Sequence, residues 1–287
     1  MMQLTASIVI YNNDLRTLER AMASFRGSPL AGKLFIIDNA NQIEAIELSH
    51  KYDATYIRTG SNLGFGKAHN IALKSVMNGS GYHLVLNPDV EFDPAILSQL
   101  VAFMDGHLHA GLVMPRVLYP DGRIQPLCKL LPSPLDLLFR RFSPFPALTR
   151  RRNERYEMHF TGYNQIAEVP FLSGCFMFIR NSVLREVGLF DERFFLYAED
   201  VDLSRRIHKV SKTYFYPFVS IYHEHTRGSH RDLRLMLYFI RSVVQYFNKW
   251  GWWLDTERTR INAAAGQVTF SHPSKVHQDP VTVQARL

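Results

Sequence analysis

Three acids in four residues, Glu199-Asp200-Val201-Asp202, follow directly on the aromatic run Phe194-Phe195-Leu196-Tyr197. Crowded carboxylates raise one another's pKa and a dry aromatic wall raises it further, so one of them is suited to take the proton of a hydroxyl as it attacks. The competing role is helix capping with pairing to Arg205 and Arg206, and it can hold for one acid while another is catalytic. Asn87-Pro88-Asp89 closes an apolar strand. A carboxylate held there can ligate a divalent cation, although the same three residues also make an ordinary turn. His223-Glu224-His225 sets two imidazoles two residues apart at a strand end, hence on one side of an extended chain. Zinc would want a further nitrogen or thiolate, and neither Cys128 nor Cys175 has suitable spacing, so a carboxylate and imidazole site for Mg²⁺ or Mn²⁺ is preferred.

A fourth candidate is Ser61-Asn62-Leu63-Gly64-Phe65-Gly66-Lys67-Ala68, glycine-bearing and just ahead of a helix, where phosphates commonly bind. A P-loop needs Gly at position 61 and Ser or Thr at 68, and a dinucleotide fingerprint needs a third Gly at 69; both fail. Gly64 and Gly66 therefore serve either a close approach of backbone to a nucleotide or a tight turn.

The elements that must position these residues alternate strand and helix patterns over the first 125 residues, the signature of βαβ units around a mainly parallel sheet. Ser7 to Tyr11, Leu34 to Ile37, Thr55 to Arg58 and Leu84 to Leu86 read as strands. Asp14 fits an N-cap for a helix with Leu15, Leu18, Met22 and Phe25 on one face. Asn12, Asp38 and Asp89 then all fall just past the carboxyl ends of strands, where open α/β sheets bind nucleotides. Prolines and the runs Arg140-Arg141 and Arg150-Arg151-Arg152 break up residues 126–168, which read as a partly ordered insertion. A helix from about Arg231 to Trp250 carries the stripe Leu233, Leu237, Ile240, Val244 and Phe247. Core packing is the first reading of that stripe and membrane contact the second.

Of 287 residues 46% are hydrophobic, enough to bury a full core and to exclude a disordered chain. Met1 to Asn12 has no basic n-region or cleavage site, and no apolar run reaches 18 residues; the reading is of a chain neither secreted nor membrane-spanning. Two cysteines without Cys-x-x-Cys spacing predict reduced thiols. The net charge of +7 is all in the second half: residues 1–125 sum to −1 and residues 126–287 to +8. Such asymmetry points the second half at a polyanion, either anionic lipid headgroups or nucleic acid.

Together these segments resemble the family 2 glycosyltransferases, and within them the rhamnosyltransferase-like enzymes of bacterial O-antigen and cell-wall polysaccharide assembly. The resemblance spans roughly residues 4–262, and its most specific stretch runs from Phe171 to Arg180 and from Val187 to Leu203. It implies an α/β sandwich of the GT-A type, with a mainly parallel central sheet flanked by helices and a C-terminal helical segment. By the same resemblance Tyr11, Asn12 and Asp38 would contact base and ribose, and Asn62, Gly64, Gly66 and Asn70 match the loop-helix motif. Asp89 matches the second acid of a metal-binding Asp-x-Asp in which Asn87 replaces the first. Asp200, beside Glu199, matches the catalytic base. The metal histidine is His223 or His225, with His223 favoured, and Arg206 would face the departing diphosphate.

The implied enzyme is metal-dependent and inverting, and uses a nucleotide-diphosphate sugar, with dTDP-L-rhamnose as the first choice. Its acceptor would be a lipid-linked saccharide at the cytoplasmic face of a membrane, with no nucleic acid partner. The expected division is a nucleotide-sugar half (1–125), a basic insertion at the membrane or acceptor (126–168), an acceptor and base half (169–229), and a helix and tail (230–287). The competing readings are a metal-dependent phosphoester or nucleotide-sugar hydrolase and a basic lipid-binding module.

Overall fold

The computed structural model describes residues 3–79, 81–137, 145–224 and 233–265. The first half runs β1 (Gln3–Ile10), α1 (Leu15–Arg26), β2 (Ala31–Asp38), α2 (Glu44–Lys51), β3 (Thr55–Arg58), α3 (Phe65–Val76) and β4 (Gly81–Leu86). β5 (Val90–Phe92), α4 (Ile96–Gly106) and β6 (Ala110–Leu118) follow. Asp14 caps α1 as the sequence predicts, its Oδ1 accepting from the backbone N–H of Arg16 and Thr17 at 3.0 Å each. Leu18, Met22 and Phe25, on the apolar stripe of that helix, are all buried.

In the second half come β7 (Cys128–Lys129), α5 (Pro146–Tyr156), β8 (Ala167–Glu168), β9 (Phe171–Leu172), β10 (Phe176–Arg180) and α6 (Asn181–Val187). α7 (Glu199–Val210), β11 (Lys212–His223), α8 (Leu233–Trp250) and α9 (Thr256–Ala264) complete it. The insertion expected over 126–168 is built of real elements, β7, α5 and β8, and its residues 138–144 lie outside the described ones. The tail expected to be loosely docked from Gln267 also lies outside them.

One nine-stranded sheet runs β3-β2-β1-β4-β10-β6-β11-β5, with β8 paired to β11. β3, β2, β1 and β4 are parallel, and β10 enters antiparallel to both β4 and β6. Leu34, Ile36, Leu84, Leu86 and Phe178 belong to the main core, and Ile37 with Ala68 and Ala72 to a smaller cluster under α3. A polar thread pins α3 to the sheet. Thr5 Oγ1 meets His83 Nδ1 at 2.8 Å, and Ser7 Oγ meets His83 Nε2 at 2.7 Å and His69 Nδ1 at 2.8 Å. Burial holds both imidazoles neutral, His83 down to about 3.

A separate cluster fastens α8 and α9 to α7: Leu131, Phe171, Phe194, Val201, Tyr246, Phe247 and Ile261. Asp202 is fully buried there, accepting from Trp250 Nε1 (2.8 Å) and pairing with Lys249 (2.6 Å) and Arg206 (2.9 Å). Arg205 pairs with Asp255 at 2.7 Å and Glu257 at 2.8 Å. Asp202 thus takes the pairing with Arg206 that the sequence left open for one acid of the cluster, whereas no acid side chain caps the helix, whose N-cap is Ala198. The apolar stripe of α8 differs from the first reading. Phe247 is core, but Leu233, Leu237, Ile240 and Val244 are exposed, and the helix packs through Tyr246, Val243 and Trp250 instead. Both faces of α8 are apolar, so periodicity alone does not say which one is covered.

Candidate functional site

α7 begins where the chain is forced out of its preferred backbone region. Tyr197 and Ala198 have φ of 69° and 68°, a left-handed pair without glycine that costs on the order of 1–3 kcal/mol per residue. Packing holds it. Phe195 O accepts from Phe65 N at 2.9 Å, Leu196 O accepts from Ser242 Oγ at 2.8 Å, and the ring of Phe195 lies 4.5 Å from that of Tyr238. The turn delivers Glu199 and Asp200 into a cleft of about 690 Å³ whose walls also include Lys129, Ser173, His223, Phe239 and Gln125.

The two carboxylates have different surroundings. Asp200 Oδ2 accepts from Gly174 N (3.1 Å) and Oδ1 from Val201 N (2.8 Å). Burial pushes its pKa up, opposed first by the Lys129 ammonium and then by those backbone donors. Glu199 Oε2 is buried with no hydrogen bond, and burial followed by repulsion from Asp200 pushes this carboxyl up to about 8. The two environments differ: Asp200 has two backbone donors and a nearby ammonium that favour its charged form, and at Glu199 burial and repulsion from Asp200 outweigh the backbone N–H groups near it, which favours its proton.

Across the cleft, at the end of β11, His223 Nδ1 lies 3.0 Å from Gln125 Oε1, and its Nε2 lies 3.4 Å from Asp89 Oδ1. Gln125 is oriented by its amide nitrogen, which donates to His223 O (2.7 Å) and Leu118 O (3.3 Å). The amide oxygen therefore faces the ring, Nδ1 carries the proton, and the Nε2 lone pair turns toward Asp89. Asp89 Oδ1 is buried and receives no hydrogen bond. Two acceptors facing each other, one with its partner nitrogen fixed by an amide, fit a divalent cation. Among the described residues no three ligating side chains cluster, so the protein would supply this pair and phosphate oxygens of a donor the rest, as is usual for Mg²⁺. His225 lies outside the described residues.

The glycines of the 61–66 loop answer to packing. Gly64 has φ of +80°, and a Cβ there would stand 2.0 Å from Phe195 O; a Cβ on Gly66 would stand 2.8 Å from Phe190 Cβ. They let the start of α3 abut the segment that carries Glu199. Asn62 Oδ1 caps the turn by accepting from Gly64 N (2.9 Å). Asn70 is buried and spent on Phe190, accepting from its N–H (3.0 Å) and donating to its carbonyl (2.9 Å).

A model of glycosyl transferase family 2 matches residues 5–188. The chain belongs to that family. It is 33% identical over 189 residues to the N-acetylglucosaminyl-diphospho-decaprenol L-rhamnosyltransferase of Mycobacterium tuberculosis (strain CDC 1551 / Oshkosh), covering 61% of this chain and 60% of that protein. The chain spans about 60% of the length of the curated relatives it matches. The solved structure of GalNAc-T7 with UDP, GalNAc and Mn²⁺ gives a TM-score of 0.63 at 17% identity, over 87% of this chain and 48% of that one. Mannosyltransferase PcManGT from Pyrobaculum calidifontis, in complex with GDP-Man and Mn²⁺, gives 0.55 at 12% identity, over 91% and 73%. These likenesses show the GT-A type of fold. Asp200 and His223 both lie beyond the matched span of the family model.

In this family 2 chain the remaining expected residues divide sharply. Asp38 is fully buried, its Oδ1 accepting from Ala40 N (2.7 Å) and Asn41 N (2.9 Å) and its Oδ2 from Gln42 N (2.5 Å) and the Tyr56 hydroxyl (2.5 Å). It shapes the loop after β2 and does not line the cleft. Tyr11 is exposed at the end of β1, beside Asn12 at φ 53°. Asn87 is half-buried, its N–H donating to Cys175 O at 2.9 Å. Arg206 corrects the expectation made of it: its guanidinium donates to the carbonyls of Val187 (2.7 Å), Gly188 (3.1 Å) and Leu189 (2.7 Å) and to Asp202 (2.9 Å). It closes the end of α6, because the unpaired carbonyls of a helix terminus draw a nearby cation. Lys129 and Gln125 are cleft residues that the sequence reading passed over. Each is a lone polar residue beside the proline-broken segment, with no motif around it.

Proposed function

We propose that the chain is an inverting glycosyltransferase that moves a sugar from a nucleotide diphosphate to a hydroxyl of a lipid-linked saccharide, working peripherally at the inner face of an anionic membrane. The observation that carries this reading is that Asp200 and His223 open on one cleft, with Asp89 3.4 Å behind His223. Ile10 pairs with Asp38 across β1 and β2, and Ile8 with Leu86 across β1 and β4. The ends of β2 and β4 are thus two strand spacings apart, roughly 10 Å, a span suited to a nucleotide with its base near β2 and its diphosphate near Asp89. The named relative makes L-rhamnose the first sugar to try, and the resemblance of the sequence makes dTDP the first nucleotide.

In the reaction Asp200 takes the proton of the acceptor hydroxyl while that oxygen bonds to the anomeric carbon. The bond from this carbon to the diphosphate oxygen breaks with its electron pair, and configuration inverts. The Gly174 and Val201 N–H groups orient the Asp200 carboxylate, and Lys129 helps to keep it ionised in a buried setting. Glu199, holding its proton, adds no second negative charge. Asp89 and His223 would hold a Mg²⁺ or Mn²⁺ ion, which when bound supplies charge neutralisation at the departing diphosphate. Positioning and this neutralisation account for most of the acceleration.

A panel of dTDP-, UDP- and GDP-sugars tests the reading, with and without Mn²⁺, scored first by thermal shift and then by transfer to a prenyl-diphosphate GlcNAc. The expected result is stabilisation by one nucleotide class and transfer that requires the acceptor. Acceptor-independent release of sugar would instead favour the hydrolase.

A further inference from the structure

α8 is a wall of the cleft on one side and bare on the other. Phe239, Val243 and Tyr246 line the cleft, while Leu237 is 62% and Ile240 42% exposed, and Leu254 beyond the helix end is 95% exposed. Leu233, Leu237, Ile240 and Val244 recur at spacings of three and four residues and so form one outward stripe. Beside the stripe stand the exposed Arg234 and Arg241. Across its 18 residues α8 has three cations, Arg234, Arg241 and Lys249, and no Asp or Glu. Trp253, past the helix, is also mostly exposed.

α5 repeats the arrangement on a smaller scale. Asn153 and Tyr156 line the cleft, whereas Phe145, Leu148, Arg150 and Arg151 are exposed. Two helices that each give one face to the cleft therefore each offer apolar side chains and arginines outward. Water leaves such a surface unpaid, and a second copy of this chain would cover it poorly, since a two-fold contact would set the arginines of one α8 against those of the other. An anionic bilayer satisfies both properties at once: apolar side chains enter the acyl boundary, arginines meet phosphate headgroups, and Trp suits the interface. Among the described residues no helix is long and apolar enough to cross a membrane, so the helix would lie in the plane of the surface.

We propose that the outward face of α8, Leu237, Ile240 and Val244 with Trp253 and Leu254, docks on an anionic lipid surface and holds the cleft mouth where a lipid-anchored acceptor emerges. The inference rests on the lipid-linked acceptor proposed above, and it adds the residues that bring enzyme and lipid together. The test is sedimentation of the full chain with vesicles of phosphatidylcholine alone or mixed with phosphatidylglycerol. Binding should be roughly tenfold tighter to the anionic vesicles and should weaken with salt. L237E/I240E should lose roughly tenfold or more of that binding, keep the native melting temperature, and keep transfer to a water-soluble short-chain acceptor.

W253E/L254E, outside the helix, should show the same loss if the first variant does not fold. Three results would overturn the docking: native chain that ignores both vesicles, a folded variant that binds like native, or a native dimer that the substitutions merely split. Transfer to the soluble acceptor without vesicle binding would sink the docking alone. Vesicle binding without sugar transfer to any acceptor would sink the transferase reading and leave the docking standing.

Discussion

At the carboxyl ends of β2 and β3 and along the 61–70 segment, Asp38, Asn62 and Asn70 spend their side chains on nearby backbone. Around α7 and β11, Glu199 and Asp89 keep carboxylate oxygens buried without a hydrogen bond. Those residues of the first region invest polarity in the shape of its loops, and these two carboxylates of the second leave an oxygen unpaired, at a cost that folding must cover elsewhere. A residue that matches a motif can therefore act through the backbone it shapes, and burial with or without partners separates that role from contact with substrate.

The comparison is broken most directly at Asp200. D200N should lower kcat by about 10³-fold while leaving the thermal shift given by the nucleotide-sugar unchanged; a small loss of rate would move the base elsewhere. In the region of spent polarity, G64A should destabilise the fold by about 3 kcal/mol, since its Cβ would sit 2.0 Å from Phe195 O at φ +80°. Urea unfolding measures this, and a near-native midpoint would refute the packing account of that glycine. Q125A should weaken Mn²⁺ binding by roughly 10–100-fold by releasing the His223 ring. A metal titration followed by thermal shift would show it, and unchanged affinity would detach His223 from the metal.

The smallest effect sharpens the division of roles between the two acids. The folded chain keeps the Glu199 proton to about pH 8, whereas the unfolded chain releases it in the usual carboxylate range. This group's contribution to stability is therefore fully present below that range and is lost as pH rises toward 8. E199Q should remove the slope, raising Tm by roughly 2–4 °C at pH 9 and not at pH 5. Equal melting curves at pH 9 would mean that Glu199 ionises in the folded chain in the same range as in the unfolded one.

Local patterns sufficed where one segment sets its own structure. The cap at Asp14 and the strand at Thr55–Arg58 depend on a few adjacent residues, and both could be read from the chain. The wall of carboxylates at 199–202 was visible too, but its partition was not: Asp202 is claimed by Lys249 and Trp250, nearly 50 positions away. His223 and Asp89 could be named as candidates from their types and their places at strand ends.

The sequence by itself determined the alternation of strands and helices over the first half, the family, and the residues able to do acid-base and metal chemistry, because these depend on side-chain type and short spacing. Tertiary structure alone decided that Gln125 steers His223, that Lys129 faces the carboxylate pair, that Arg206 is consumed by the end of α6, and which apolar face of α8 is left bare. Each of those outcomes is a competition for partners among groups far apart in the chain, and hydrogen bonding and burial settle it only once the sheet has brought them within reach.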